Sequence, residues 1–382
     1  MSRILVVAGT RPEAIKLAPV INELKIRKAD VRVCVTGQHR EMLDQVLELF
    51  GIAPDLDLNV MTEGQTLEQL TSAMISDLAA VYANERPEIV VMQGDTTTVM
   101  AAAVAAFYAG IDVAHVEAGL RSHDMRSPFP EEFNRRVVSL VGTYHFAPTP
   151  VAEAQLIEEG VDPSRIWMTG NTIIDALLET AKRPVTDRAR ELLEIVGLPV
   201  SGEPPSTEAS GRRLILVTAH RRENFGKGIE EICDGIKRVV AAHPDVVVIY
   251  PVHMNPRVAE PVRRILGNAE RVLLAEPLDY ATTVHLMKHA TLVLTDSGGI
   301  QEEAPTLGRP VLVMRTETER PEGIEAGTAL LTGPSADRIA ASASRLLLDP
   351  SAYDEMARAV NPYGDGCAAE RIVDVLVGGD AA

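Results

Sequence analysis

The amino-acid sequence predicts an α/β protein built from two Rossmann-like, doubly wound domains that face a cleft. Three observations lead to this fold class: a length of 382 residues, short continuous apolar runs, and longer helical patterns between those runs. The length exceeds that of a usual single core and favours two domains. Apolar runs without polar alternation are typical of strands covered on both faces, and helices between such strands form βαβ units around a parallel sheet.

The first series of predicted elements occupies residues 1–180. Ile4 to Ala8 is predicted to be a buried strand, and Pro12 to Arg27 follows as a helix with proline in its first turn. The alternation continues through four further elements: the strand Val31 to Val35, the helix around Met42 to Phe50, and the strands Ile89 to Gln93 and Val113 to Glu117.

A second series follows a stretch of different composition. Residues 181–213 contain the sequence SGEPPSTEASG, which is typical of a solvated loop or of an interdomain linker. Residues 214–382 resume the alternation and form the second predicted domain. Its predicted strands are Leu214 to Thr218, Val246 to Tyr250, Arg271 to Ala275, Thr291 to Thr295 and Val311 to Met314. The last helical stretch, Ala368 to Leu376, is compatible with packing on either domain.

Charge and composition argue against several classes of function. A net charge of -17 disfavours binding to nucleic acid or to an anionic membrane. Three scattered cysteines without CxxC spacing predict neither a disulfide framework nor a zinc site, and the histidines lack metal-ligand spacing. The sequence shows no signal-peptide pattern and no apolar run of the ~18 residues that a membrane span needs. We therefore expect a soluble, cytoplasmic protein without a metal.

Polar residues follow the apolar runs at the points where the predicted strands end. Ligands of doubly wound sheets bind at this edge. These segments are Gly9 to Arg11, Gly94 to Thr96, Glu117 to Gly119, Ala219 to Arg222 and Asp296 to Gly299. Because both series contribute, the sequence predicts one site shared by the two domains.

The segment Ser297-Gly298-Gly299 precedes a predicted helix and suits an anion such as a phosphate. Backbone N–H groups at a helix start attract negative charge, and glycine permits close approach. A serine N-cap with glycine in a tight turn is the alternative interpretation. The NAD-type and ATP-type phosphate loops are both absent, so no such cofactor is expected. Cations available for an anion near these strand ends are Arg11, Lys16, His220, Arg221, Arg222 and Arg320.

Carboxylates form the second candidate group. Asp95 and Glu117 follow predicted strands, where burial can tune a carboxyl group for general acid–base catalysis. Glu131 joins them as a candidate, although acidic residues are common at a helix start for structural reasons. Glu303, one of two adjacent glutamates early in the helix after Gly299, either complements the helix dipole or accepts hydrogen bonds from a ribose diol.

Several longer stretches contain these residues and are highly specific together. They are GTRPEAIKLAP from Gly9, GQHREML from Gly37, QGDTTT from Gln93, HVEAGLR from His115, PFPEEFNR from Pro128, VTAHRREN from Val217, LTDSGGIQEEAPTLGRPVLVMR from Leu294 and TERPEGIEAGT from Thr318. With them, the chain resembles the non-hydrolysing UDP-N-acetylglucosamine 2-epimerases from Ile4 to about Gly327. The resemblance implies a glycosyltransferase-B type fold.

The resemblance also implies a reaction: reversible conversion of UDP-N-acetylglucosamine into UDP-N-acetylmannosamine, through elimination of UDP to 2-acetamidoglucal and re-addition. Three alternatives stay open. They are a hydrolysing epimerase that releases N-acetylmannosamine and UDP, a glycosyltransferase of the same fold, and a non-catalytic UDP-sugar sensor. The expected partners are the UDP-sugar and, if the protein dimerises, a symmetric second copy of the chain.

Site residues are assigned by the same resemblance. The catalytic group is Asp95, Glu117, Glu131 and His220. The UDP-sugar group is Arg11, Lys16, Ser297, Gly298, Gly299, Glu303 and Arg320. A regulatory UDP-sugar site is implied on Gln38, His39 and Arg40, but the neighbours Glu41 and Gly64 depart from residues found in relatives. Both departures disfavour a second polyanion, so weak or absent activation by substrate is expected.

Overall fold

The computed structural model describes residues 2–37, 40–62, 64–200 and 211–378. The chain forms two compact units, one made of Met1–Leu178 with Tyr363–Ala382 and the other of Glu179–Pro362. Each unit contains a parallel sheet with helices between successive strands. The predicted fold class, α/β with two doubly wound units, is confirmed.

The first unit contains most of its elements in one continuous stretch. They are β1 (Arg3–Ala8), α1 (Arg11–Ile26), β2 (Asp30–Val35), α2 (Arg40–Leu49), β3 (Leu56–Asp57), α3 (Leu67–Glu85), β4 (Ile89–Gln93), α4 (Thr97–Ala109), β5 (Asp112–Val116), α5 (Glu131–Val141), β6 (Tyr144–Ala147), α6 (Pro150–Glu158), β7 (Ile166–Met168) and α7 (Thr172–Lys182). The chain passes into the second unit within α7.

The second unit repeats the same alternation, and the last helix then belongs to the first unit. The elements are α8 (Asp187–Ile195), β8 (Arg213–Thr218), α9 (Lys227–Ala242), β9 (Val246–Pro251), α10 (Pro256–Leu266), β10 (Val272–Ala275), α11 (Tyr280–His289), β11 (Ala290–Thr295), α12 (Gly298–Thr306), β12 (Val311–Val313), α13 (Pro321–Glu325), β13 (Ala329–Leu331), α14 (Ala336–Leu348), α15 (Pro350–Ala357) and α16 (Ala368–Gly378).

Strand order identifies where each sheet is built to bind a ligand. The first sheet has the order β3-β2-β1-β4-β5-β6-β7, and the second has the order β10-β9-β8-β11-β12-β13. In each sheet the order reverses at a switch point, between β1 and β4 in the first and between β8 and β11 in the second. Connections leave to opposite sides there, which opens a crevice at the carboxyl ends of those two strands.

The apolar runs exist because each sheet is covered on both faces. In β8, Ile215 and Val217 pack in one buried cluster with side chains of α9, whereas Leu214 and Leu216 pack in another with side chains of α8 and α11. Alternate residues of a strand point to opposite faces, so a strand between two helical layers is apolar throughout. This burial fixes the strand ends that present polar residues.

The two units divide the chain after Leu178 and again after Pro362. Residues 181–213, predicted as a loop or linker, include α8, whose Leu192 and Leu193 are buried in the core of the second unit. The last helix, which the sequence leaves compatible with either domain, is α16, and it packs against α1 of the first unit. There Arg27 pairs with Asp374 at 2.9 Å. Helical composition alone does not identify the core on which a helix packs.

Candidate active site

The carboxyl ends of β1 and β4 are joined by Glu13, in the first turn of α1. The side chain is buried, and its Oε2 accepts the N–H groups of Gly9 at 2.5 Å and Thr10 at 3.3 Å. Its Oε1 accepts the Thr96 hydroxyl at 2.6 Å. Burial raises the pKa of Glu13, although the bonds from Thr96 and Gly9 act in the opposite direction. Glu13 therefore links the two loops at the switch point of the first sheet.

Asp95 lies two residues beyond the end of β4 and is paired with α5. Its Oδ2 accepts from the Arg135 guanidinium, with the nearest N···O distance 2.7 Å, and its backbone carbonyl accepts from the Asn134 side chain at 2.8 Å. These contacts tie the β4–α4 loop to the helix that begins with Glu131. The loop that contains Asp95 and the helix that begins with Glu131, both predicted catalytic residues, are therefore in direct contact.

Glu117 follows β5 directly and receives three side-chain donors. Lys16 Nζ lies 2.5 Å from its Oε1, the Asn171 amide donates to the same oxygen at 2.9 Å, and the Gln93 amide donates to Oε2. The backbone of Glu117 has a φ of 65°, in the left-handed region that is uncommon for residues other than glycine. Three side-chain donors therefore hold this buried carboxylate in one orientation.

The adjacent glutamates at the start of α5 have different environments. Glu132 is fully buried and accepts from the Ser122 N–H at 2.9 Å and from Arg135 and Arg136, both at 3.2 Å. Burial raises its pKa, but these donors outweigh burial and hold the pKa below its ordinary value. In contrast, Oε2 of Glu131 is buried and accepts no hydrogen bond from the described residues. Glu132 therefore supports the fold, whereas one oxygen of Glu131 has no hydrogen-bond partner among the described residues.

In the second unit, Asp296 joins the carboxyl ends of β8 and β11. The side chain is fully buried, and it accepts the N–H groups of His220 at 2.9 Å and Arg221 at 2.8 Å. The Asn224 amide donates to it at 3.1 Å. Asp296 fixes the β8 loop, as Glu13 fixes the loops of the first sheet.

His220 presents a half-exposed ring beside this buried carboxylate. Its Nδ1 lies 3.8 Å from Asp296 Oδ1, and its ring stacks on His253 with centroids 5.5 Å apart and planes 12° from parallel. The backbone N–H of Asn255 donates to Nδ1 of His253 at 3.0 Å, so that nitrogen is the acceptor of the His253 ring. The imidazole of His220 is thus oriented from two sides.

The predicted anion segment forms the start of α12. Ser297 is the N-cap, its side chain makes no capping hydrogen bond, and the helix begins at Gly298. A Cβ added to Gly298 would lie 3.7 Å from the nearest atom, Arg221 Nη2, and one added to Gly299 would lie 3.8 Å from Glu303 Oε2. These are ordinary van der Waals distances. The chain's own packing therefore does not require glycine at either position.

The two glutamates of α12 also differ. Glu302 is buried and forms a close ion pair with Arg320. Glu303 is buried beside Tyr280; burial and then the carboxylate of Glu303 raise the pKa of the Tyr280 hydroxyl well above its ordinary value. Since Glu303 Oε2 is also near Gly299, Glu303 is the glutamate placed next to the helix start.

Charged side chains surround this helix start. Arg315 is buried and donates to Glu223 at 2.6 Å and to Glu319 at 3.1 Å. Glu319 Oε2 lies 3.9 Å from the position of a Gly298 Cβ, on the same side as Arg221. Burial raises the pKa of Glu319, but Arg315, followed by Arg221, outweighs it and lowers the pKa. Arg221 and Arg315 therefore lie among carboxylates beside this helix start.

The structure groups the predicted residues by unit. The switch point of the first unit brings together Arg11, Lys16, Asp95, Glu117 and Glu131. That of the second brings together His220, Ser297, Gly298, Gly299, Glu303 and Arg320. Gln38 and His39 lie outside the described residues, as does the side chain of Arg40 at the start of α2. The proposed regulatory residues therefore remain a prediction.

Sequence reasoning missed the residues that hold this set in place. They are Glu13, Gln93, Arg135, Asn171, His253, Tyr280 and Asp296. Glu13 had a usable signal, because it stands three residues after Thr10 in the spacing of a capping box. Asp296 directly follows β11, which is a second signal. Arg135 and Asn171 carry no local signal, since their partners Asp95 and Glu117 are 40 and 54 residues away in the chain.

Within the described ranges, no group of three or more His, Cys, Asp or Glu side chains could hold a metal ion. In the same part of the chain, no helix has both the length and the apolar character needed to cross a membrane.

Comparison with known sequences gives one family. The family profile described as UDP-N-acetylglucosamine 2-epimerase matches residues 22–377. The chain is 50% identical over 375 residues to a UDP-N-acetylglucosamine 2-epimerase of Salmonella typhimurium, with 98% of each chain covered.

Comparison with solved structures gives the same family and a glycosyltransferase-B type fold. A UDP-GlcNAc 2-epimerase of Neisseria meningitidis, solved with bound UDP-GlcNAc, has a TM-score of 0.88 and 44% identity, with 98% of this chain and 100% of that chain covered. The S. aureus MnaA protein, solved with UDP, has a TM-score of 0.87 and 43% identity over 100% of this chain and 98% of that chain.

Proposed function

This chain belongs to the UDP-N-acetylglucosamine 2-epimerase family, and we propose that it reversibly converts UDP-N-acetylglucosamine into UDP-N-acetylmannosamine. In the proposed route, the C2 proton leaves as the C1–O bond to UDP breaks, and the C2–H electron pair forms the double bond of 2-acetamidoglucal. UDP then adds back to C1 while a proton is delivered to the opposite face of C2. Substrate and product have the same oxidation state, so the proposed route needs no redox cofactor.

The observation that carries this proposal is the environment of Glu117. A carboxylate near the switch point, held in place by Lys16, Gln93 and Asn171, suits a group that accepts the C2 proton. Asp95, paired with Arg135, adds a second fixed negative charge. Glu131 offers a buried oxygen that no donor of the described residues occupies. We propose that these three carboxylates move and stabilise the proton, and that re-protonation from a different group inverts C2.

Binding of UDP is assigned to the second unit. Because packing leaves room for a Cβ at Gly298 and Gly299, the glycines are explained by a ligand that approaches the start of α12 closely. The N–H groups at that helix start and the nearby Arg221 suit a diphosphate. We propose that His220 contributes a charge-assisted hydrogen bond to it and that Glu303 accepts hydrogen bonds from the ribose hydroxyls.

The remaining cationic side chains differ in whether they already pair with a carboxylate. The side chain of Arg11, at the start of α1, makes no hydrogen bond or ion pair with the described residues, so we propose that it contacts the diphosphate. Lys16 and Arg320 already pair with Glu117 and Glu302. We propose that each holds its carboxylate and also reaches the UDP-sugar.

Three rivals predict different products from UDP-N-acetylglucosamine alone. A hydrolysing epimerase releases N-acetylmannosamine and UDP, a glycosyltransferase needs an acceptor before it turns over, and a sensor gives no product. The sensor is disfavoured because a pure ligand-binding site gains nothing from unpaired carboxylate oxygens beside a polyanion. Incubation with UDP-N-acetylglucosamine, followed by proton NMR, tests the proposal. A mixture of the two UDP-sugars supports it, whereas any of the three rival outcomes contradicts it.

A symmetric homodimer is part of the proposal. Helices α4 and α5 pack on each other and carry exposed apolar side chains: Phe107 and Tyr108 on α4, and Leu140, which is 84% exposed, on α5. Exposed apolar side chains on neighbouring elements mark a candidate protein interface. Sedimentation of wild type and Leu140→Glu tests this: a dimer that the charge converts to a monomer supports the interface, and a monomeric wild type contradicts it.

A further inference from the structure

The loop between β7 and α7 reaches the carboxylate of Glu117 through Asn171. The Asn171 side chain is 3% exposed, and its Nδ2 donates to Glu117 Oε1 at 2.9 Å. The other end of the same amide, Oδ1, accepts the N–H of Ile173 at 3.2 Å. Because donor and acceptor are both used, the amide has one orientation, and Glu117 receives a donor from a fixed direction.

The last segment of the chain holds this loop in place. The backbone N–H of Asn171 donates to the carbonyl of Tyr363, a buried residue, at 2.8 Å. Arg371 of α16 donates to the Thr169 carbonyl at 3.0 Å. Gly364 lies against the loop so closely that a Cβ on it would be 3.4 Å from the Asn171 nitrogen. The segment from Tyr363 to Arg371 therefore supports the loop at both of its ends.

We propose that Asn171 is a positioning residue for Glu117, and that the C-terminal segment, through Tyr363 and Arg371, sets the position of Asn171. The inference rests on the proposed role of Glu117 in proton transfer. Lys16 supplies charge to the same oxygen through a long, rotatable side chain, whereas the amide supplies direction. A displacement of about 1 Å in a reacting group lowers the rate about 10²-fold, so direction matters as much as charge.

A purely structural role makes a different set of predictions. Through its Oδ1, Asn171 also closes a turn at the start of α7 by accepting the Ile173 N–H. If that were its whole role, a substitution that keeps an acceptor oxygen would leave turnover and its pH dependence unchanged. If it positions Glu117, loss of the donor lowers turnover even when the turn is intact.

Asn171→Asp separates the two roles. The variant keeps the oxygen for Ile173 but places a like charge against Glu117, which raises the pKa of that carboxyl group. We expect kcat to fall about 10- to 100-fold, the acid limb of the kcat/KM profile to move to higher pH, and UDP affinity to stay unchanged. Unchanged kcat and an unchanged profile in a folded variant would overturn the proposal.

A second variant tests the same role if Asn171→Asp does not fold. Asn171→Ser keeps a hydroxyl acceptor for the turn, adds no charge and is too short to reach Glu117. Reduced kcat with unchanged UDP affinity supports the positioning role, and wild-type kcat overturns it.

Two substitutions on α16 test the proposed role of the C-terminal segment. Arg371→Ala removes the bond to Thr169 together with an ion pair to Asp365, whereas Asp374→Ala removes an exposed ion pair between the same helix and Arg27. We expect reduced kcat for Arg371→Ala alone, and equal kcat in both variants contradicts the role of α16. Wild type is assayed in parallel by NMR: an inactive wild type rejects the proposed function, whereas an active wild type with insensitive variants rejects this inference.

Discussion

Arg135 donates two hydrogen bonds to one oxygen of Asp95, from Nε at 2.9 Å and from Nη2 at 2.7 Å. The other carboxylate oxygen of Asp95 makes no hydrogen bond with the described residues, so the pair presents one fixed oxygen outward. Arg135→Gln removes the charge-assisted pair and leaves Asp95 free to rotate. We expect kcat to fall about 10- to 100-fold with UDP affinity retained. Steady-state kinetics and calorimetry measure the two effects.

The next residue provides the control. Arg136 pairs with Glu132 and Glu159 but makes no bond to Asp95. Arg136→Gln should keep kcat within about twofold of wild type. Equal losses in the two variants would indicate that charge on α5, and not the contact with Asp95, supports turnover.

Ala at Gly298 or Gly299 tests the diphosphate site without disturbing the fold. Because a Cβ meets no atom nearer than 3.7 Å at either position, thermal unfolding of both variants should match wild type or rise slightly. The methyl group would occupy space that we assign to the phosphates, so UDP affinity should fall. Calorimetry with UDP measures this. Unchanged affinity in both variants would mean that the diphosphate binds elsewhere.

Substitutions of the two adjacent glutamates at the start of α5 should have different effects, one on turnover and the other on stability. Glu131→Gln should keep the fold and bind UDP, yet lose at least ~100-fold in turnover, because a proton-transfer group is removed. Glu132→Gln should lower the free energy of unfolding, because the buried carboxylate accepts from Ser122 and two arginines. Urea titrations and kinetics on both variants check the separation. If Glu131→Gln lowered stability and Glu132→Gln lowered turnover, the roles assigned to the two residues would have to be exchanged.

Asp175 of α7 makes protein stability depend on pH. Burial raises its pKa to about 6, although hydrogen bonds from Ala369 and Ala368 lower it. The unfolded chain has an Asp pKa of about 3.9, so the folded protein binds this proton more tightly. The stabilising contribution is complete below the unfolded pKa and is lost as pH rises through about 6.

Asp175→Asn removes this dependence while it keeps an oxygen for the Ala369 N–H. Relative to wild type, the variant should gain about 2 kcal/mol in free energy of unfolding between pH 4.5 and pH 7.5. Urea denaturation followed by circular dichroism gives both values, and Asp374→Asn, exposed on α16, serves as the control. If variant and wild type differ in free energy of unfolding by the same amount at both pH values, the raised pKa of Asp175 is contradicted.

Strand positions could be predicted from the sequence because central strands are covered on both faces. The predicted strands Ile89 to Gln93 and Thr291 to Thr295 match β4 and β11 within one residue. The edge strands β7 and β13 have three residues each and a single neighbour in the sheet, so they lack a long apolar run. The position of α16 could not be predicted, because an amphipathic helix carries no information about which core it covers.

The sequence predicts the site residues that lie at strand ends, but it does not predict the side chains that contact them. Asp95 and Glu117 could be located because the edge of a doubly wound sheet follows from the order of its apolar runs. Their partners Arg135 and Asn171 could not, because the contacts join segments far apart in the chain. Lys16 shows the same limit: resemblance assigns it to the UDP-sugar, and the structure places its ammonium group on Glu117.

We propose that C2 is inverted by elimination and re-addition of UDP, and hydrogen exchange between C2 and the solvent distinguishes this route from the alternatives. Wild-type protein is incubated with UDP-N-acetylglucosamine in deuterium oxide, and the products are followed by proton and phosphorus NMR. We expect UDP-N-acetylmannosamine to appear with deuterium at C2, while the sugar–phosphate bond persists at equilibrium. Net release of UDP and N-acetylmannosamine, or epimerisation that retains the original proton at C2, would contradict it.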